Sequence, residues 1–223
     1  LLAHRGYDMV RILEQVYLGA DGIYGTPLGV SSTFVIIIVV LGALLEKTGA
    51  SGVLMDIAVS MTRNSRGGPA KAAVVGSSLM GMISGTAVAN VLTTGTISIP
   101  LMRRGGYRPA VAGAVEAVAS TGGQLMPPIM GAAAFLMADI MEVPYLDITK
   151  AALLPALLFY IAVFASVHLE AIKIGLKPLE SIDIPDVAQS LRNSGHVLLS
   201  IPVFIGTLIS GYSVMYSSLA GII

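Results

Sequence analysis

Cysteine is absent from this chain, which excludes a disulfide framework and any cysteine-ligated metal centre. Charge is scarce and balanced: 13 basic and 13 acidic residues stand among 223, with no net charge. The basic residues flank apolar runs and form no patch interleaved with aromatics, so nucleic-acid binding is excluded. Three histidines, His4, His168 and His196, are too scattered for a zinc or catalytic cluster. The alternation of apolar and polar residues that marks the strands of an outer-membrane barrel is missing as well.

What is present is a mean hydropathy of +0.83 and several uncharged runs of membrane length. These point to an all-α polytopic membrane protein. The chain begins at Leu1 without an initiator methionine and ends at Gly221-Ile222-Ile223 in an apolar context. It therefore reads as a piece of a longer polypeptide, and no signal peptide is assigned.

The stretch from Lys71 to Arg104 organises the rest. Its uncharged part, Ala72 to Met102, is about 30 residues long, too long for one membrane helix of about 20 and too short for two. Arg63, Arg66 and Lys71 precede it, and Arg103, Arg104 and Arg108 follow. With both basic ends on one side, the chain enters and leaves by the same face. A re-entrant helical hairpin turning at the small polar residues of its middle, Ile83 to Asn90, satisfies these constraints.

Around that hairpin (residues 71–104) the chain divides further. Residues 1–27 form an entry segment with a short amphipathic helix near Asp8–Leu18, broken by the Gly, Asp and Pro of Gly19–Pro27. Residues 28–70 hold a spanning helix, Leu28–Leu45, and a surface helix, Ser51–Arg63, whose apolar face is Val53, Leu54, Ile57, Ala58 and Met61. Residues 105–147 hold a discontinuous transmembrane helix: one half from Pro109 to Ala119, an unwound centre, and a second half from Pro128 to Asp139. Two glycines and the Pro127-Pro128 pair cannot continue an ideal helix. Residues 148–223 supply two scaffold spans, Ile148–Leu169 and Val197–Tyr216, joined by a cytoplasmic arm. In that arm Pro178, Ser181 and Pro185 mark turns, and Asp186–Leu191 reads as another surface helix.

Half-helices ending at mid-membrane present free carbonyls at one end and free N–H groups at the other. Carbonyls with hydroxyl and amide oxygens suit sodium, and N-terminal amides suit a substrate carboxylate. The candidate ion and substrate residues are Ser84, Gly85, Thr86 and Asn90 on the hairpin. On the broken helix they are Ser120, Thr121, Gly122, Gln124, Pro127 and Pro128. Sodium is assigned to Ser84, Thr86, Ser120 and Thr121, and no other cofactor is expected. The competing reading is packing: Gly76, Gly81 and Gly85 permit close helix approach, and Ser or Thr hydroxyls bond to their own helix. Glu116, the one acid inside an uncharged span, is a candidate coupling acid. Its alternative is a position close enough to the interface to meet water.

Three stretches carry a family resemblance: Gly67-Gly68-Pro69-Ala70-Lys71, Gly76 through Val91, and Glu116 through Gly131. On these the chain resembles the large permease of tripartite ATP-independent periplasmic (TRAP) transporters, most of all permeases with small and large components fused. The resemblance implies an elevator-type secondary transporter of the bacterial or archaeal cytoplasmic membrane. It implies a sodium gradient driving organic-acid uptake and an extracytoplasmic binding protein, with the TAXI type favoured. In the family the hairpin and broken helix form one half of the ion and substrate sites, here Ser84–Asn90 and Ser120–Pro128. Glu116 has no counterpart in the general family pattern.

A binding-protein-independent elevator transporter of dicarboxylates or ions is the alternative. A potassium-type channel lacks its filter run here. An intramembrane protease lacks a mid-span histidine or aspartate pair, and a passive scaffold explains neither broken segment.

Overall fold

The computed structural model describes residues 6–20, 22–176, 178 and 187–222, and among them it is helical without strands. Asp8 caps helix α1 (Met9–Leu13) by accepting from the Met9 N–H at 2.9 Å, and the helix continues as a π turn through Glu14–Leu18. Helix α2 (Thr26–Lys47) is one of two helices among the described residues that are long and apolar enough to cross a membrane singly. The other is α8 (Tyr145–Lys173). Each runs a few residues beyond the expected spans, Leu28–Leu45 and Ile148–Leu169.

Helix α3 (Ala50–Thr62) lies along α4 (Gly68–Ser84). The buried side of α3 is Val53, Leu54, Met55, Ala58 and Thr62, while Met61, expected on the apolar face, is exposed. The reason is the partner helix. Gly76 on α4 has no side chain, and Met55 fills the space: a β-carbon there would stand 2.9 Å from Met55 Cε.

Helix α4 starts after Gly67, whose φ of +71° favours glycine, and carries Pro69 in its first turn where no N–H is needed. It stops at Gly85, again left-handed at φ +60°. Thr86 is extended and opens α5 (Ala87–Arg104) by accepting the Ala89 N–H at 3.3 Å. The chain then turns through Gly105 and Gly106 into α6 (Pro109–Gly122), with proline at its start. Helices α4, α5 and α6 pack against one another as an up-down-up unit.

Both ends of this unit have a sign. The beginning of α4, the end of α5, the beginning of α6 and the end of α8 meet: Gly67 touches Ala171 and Tyr107, Gly105 touches Pro69, and Gly106 touches Leu176. Arg63, Arg66, Arg103, Arg104, Arg108 and Lys173 belong to these segments. The opposite end of α8 follows Asp139 and Glu142 and carries Asp147 in its first turn.

After α6 a short 3-10 turn, Gly123–Leu125, leads into extended backbone with a cis Pro127-Pro128 bond, and α7 (Ala132–Ile140) resumes the helix. The break is therefore later than expected. Ser120, Thr121 and Gly122 sit in regular helix, because Ser120 is tied to Glu116 and Thr121 to the Ala117 carbonyl, each four residues back.

The expected span Val197–Tyr216 is also corrected. A 3-10 segment, Gly195–Leu199, leads into α10 (Ser200–Ile209), and α11 (Val214–Ile222) folds back on it. The turn is made by Gly211 at φ +87° and by Ser213, whose hydroxyl accepts the Tyr216 N–H at 3.2 Å. Pro202 lies in the first turn of α10, where a proline costs little. Helix α9 (Val187–Ser194) packs on α3, with Ser190 donating to Asp56. Pro178 is in coil, and the turns expected at Ser181 and Pro185 lie outside the described residues, as does Asp186.

Candidate functional site

The hairpin tip is seated against the broken helix, main chain to main chain. A β-carbon on Gly81 would lie 2.3 Å from Gly123 Cα, and one on Gly85 would lie 2.8 Å from the Met130 carbonyl oxygen. Only glycine permits either approach. The break itself is braced from α8. Tyr145 donates to the Pro128 carbonyl at 2.9 Å and accepts the Met130 N–H at 3.3 Å, while its ring stacks on Phe135. Gly131 closes the loop by donating to the Gln124 carbonyl at 2.8 Å.

The sequence candidates divide into three groups here. Ser84, Gly85 and Thr86 are at the tip, with Thr86 exposed and the Ser84 hydroxyl donating weakly to the Thr86 carbonyl at 3.4 Å. Pro127 and Pro128 are buried in the break facing that tip. Thr121 and Gln124 are exposed, and Thr121 is bonded to its own helix at 2.7 Å. Gly122 is buried under the Phe159 ring. Among the described residues no hydrogen bond joins Ser84 or Thr86 to Ser120 or Thr121.

The third group is a cluster in the stem of the hairpin. Glu116 is fully buried. Its Oε1 accepts from Ser77 at 3.2 Å, from Ser120 at 3.0 Å and from Thr94, and its Oε2 accepts from Ser98. Asn90 is buried alongside, its amide donating to the Ser77 carbonyl at 2.8 Å. Sequence reasoning missed Ser77, Thr94 and Ser98. A signal was available: Asn90, Thr94 and Ser98 recur every four residues, as do Glu116 and Ser120, so each set lines one helix face. Elsewhere α5 is tied to α2 by Thr93, whose hydroxyl donates to Glu46 at 2.5 Å.

Comparison with known proteins bears on what this frame belongs to. A family profile described as tripartite ATP-independent periplasmic transporter, DctM component, matches residues 1–223. The chain belongs to this family. The family is one of transporter permeases and not of enzymes.

Among curated proteins, the C4-dicarboxylate TRAP transporter large permease protein DctM of Pseudomonas aeruginosa is 29% identical over 170 residues, 76% of this chain and 39% of that protein. The uncharacterized protein YgiK of Salmonella typhimurium is 27% identical over 173 residues, 78% of this chain and 40% of that protein. The uncharacterized protein y4mL of Sinorhizobium fredii is 32% identical over 105 residues, 47% of this chain and 25% of that protein. This DctM-family chain therefore spans two fifths or less of the relatives it matches.

Proposed function

We propose that this chain is part of the large permease of a sodium-coupled, binding-protein-dependent secondary transporter that imports organic acids. The observation that carries the reading is the main-chain contact of Gly81 and Gly85 with Gly123 and Met130. It joins a hairpin tip to a helix break at one place, where helix ends leave backbone groups without helical partners. The amides of Ala87 and Val88 open α5 there, and sodium sits with Ser84, Thr86 and the carbonyls of the break. The substrate carboxylate then meets the amide end of α5, favoured by the helix dipole.

The two basic ends of the hairpin lie together, which supports entry and exit on the cytoplasmic face. Hairpin and broken helix move as one body against α2 and the later helices in an elevator movement. The Ser120 hydroxyl donates to Glu116 and the Thr121 hydroxyl to the Ala117 carbonyl, which favours Ser84 and Thr86 as the side chains of the tip site. C4-dicarboxylates are the first substrates to try, since the Pseudomonas relative is named for them. A TAXI-type binding protein and a small permease domain fused in the same polypeptide complete the assembly.

The test is uptake of radiolabelled organic acids by the intact permease in proteoliposomes, with its binding protein supplied and sodium imposed or withheld. Sodium-driven uptake that is lost in Thr86→Leu, with normal insertion, supports the reading. Uptake indifferent to sodium overturns it, and uptake without any binding protein favours the binding-protein-independent alternative.

A further inference from the structure

The stem cluster has a chemistry of its own. Glu116, Ser77, Thr94, Ser98, Ser120 and Asn90 are all 0–2% exposed. Seven side-chain oxygens meet there, two from Glu116, one from Asn90 and one from each of the four hydroxyls, and they share only four hydroxyl protons. Thr94 shows the shortage directly. Its hydroxyl lies within bonding distance of Glu116, of the Asn90 carbonyl at 2.8 Å, of Asn90 Oδ1 at 3.3 Å and of Ser77 at 3.2 Å, with one proton to give.

Positive charge is short as well. Among the described residues no lysine, arginine or histidine pairs with Glu116. Lys71 on α4 is turned to the Phe164 ring, 5.1 Å from its centroid, and Tyr160 on α8 donates to the Ala119 carbonyl at 2.9 Å. A carboxylate removed from water without a cation is strongly disfavoured, and hydroxyl donors offset only part of that penalty.

We infer that Glu116, with the hydroxyls of Ser77, Thr94, Ser98 and Ser120 and the Asn90 oxygen, forms a second sodium seat inside the hairpin stem. The ligand set is all hard oxygen, which suits an alkali or alkaline-earth ion. Its single negative charge is balanced by a monovalent ion, whereas calcium sites gather several carboxylates. The seat is distinct from the hairpin tip. Ser77 precedes Ser84 by two helical turns, about 10 Å along α4. Gly95 lets α5 close over the site, since a β-carbon there would meet Glu116 Cγ at 3.3 Å. The inference rests on the sodium-coupled reading, and it adds an ion that the tip residues do not hold.

The test measures radioactive sodium binding, and stabilisation by sodium at constant ionic strength, on the intact permease in detergent. No transport is needed. The variants are Glu116→Gln, the double change Thr94→Val with Ser98→Ala, and Thr86→Val at the tip. The expected result is one sodium fewer per chain, or about tenfold weaker binding, in both stem variants, with that sodium retained in Thr86→Val. Should Glu116→Gln fail to fold, the double variant carries the test. Wild-type stoichiometry and affinity in the stem variants overturn the seat while leaving sodium coupling intact. No sodium binding by the wild type sinks both readings. Stabilisation that follows pH and ignores sodium overturns the seat in favour of a proton.

Discussion

The tip and the stem of the same hairpin use the same kinds of residue in opposite ways. At the tip, Ser84 and Thr86 make long hydrogen bonds of 3.4 and 3.3 Å, and Thr86 is exposed. In the stem, Ser77, Thr94, Ser98 and Ser120 are buried and converge on one carboxylate. A hydroxyl at a chain reversal has only local backbone to bond, whereas one inside a helix bundle can bond its own helix four residues back or reach a partner on another helix. The tip is therefore adaptable and the stem specified. Polarity in the stem joins α4, α5 and α6 around one carboxylate, and polarity at the tip stays local to the chain reversal.

Substitutions break that contrast in graded steps. The largest effect belongs to Gly81→Val beneath the tip, because its β-carbon meets main chain that cannot rotate away. A loss of about 3 kcal/mol or more is expected, the upper end of overpacking costs, measured as early thermal unfolding of the purified permease. In the stem, Ser98→Ala leaves Glu116 Oε2 without its donor and should cost about 1–3 kcal/mol by the same assay. Thr86→Ala at the tip removes only an exposed cap and should cost about 1 kcal/mol or less. A larger stability loss there than in the stem would reverse the comparison.

The smallest effect is expected at the basic end. Among the described residues the buried Tyr107 hydroxyl has no partner, and burial, with a lesser push from Glu170, raises its ionisation to about 12. The folded state thus holds the neutral phenol. Its contribution is complete below the ordinary value near pH 10 and is lost as pH rises toward 12. Tyr107→Phe should leave stability at pH 7 nearly unchanged and flatten the decline between pH 10 and 12 in a melting series.

How far the sequence alone reaches depends on what kind of signal a residue emits. The all-α class followed from hydropathy, and the chain reversal within the small polar residues of Ile83–Asn90 rests on local chemistry that acts whatever the surroundings. The break after α6 was legible as an event but misplaced by a few residues, because Ser120 and Thr121 each found a partner four residues back that kept them helical. The turn at Ser210–Ser213 was hidden inside an apolar run, where Gly211 looked like one more small residue. The stem cluster was the least visible. Ser77, Thr94 and Ser98 are ordinary residues on apolar helices, and only the folding of α4, α5 and α6 around Glu116 makes them a group. The four-residue spacing of Asn90, Thr94 and Ser98 marks one face of α5, but nothing in that stretch names Glu116 as what the face meets.

The contact of Gly81 with Gly123 has a mechanical side. Side chains between helices act as springs, since each can shift rotamer and absorb a displacement. Where two backbones touch directly there is no spring, and close-packed atoms transmit strain with little give. A push applied at the basic end of α4 would arrive at Met130 with almost no slack, so the joint behaves as a weld and the compliance of the molecule lies elsewhere.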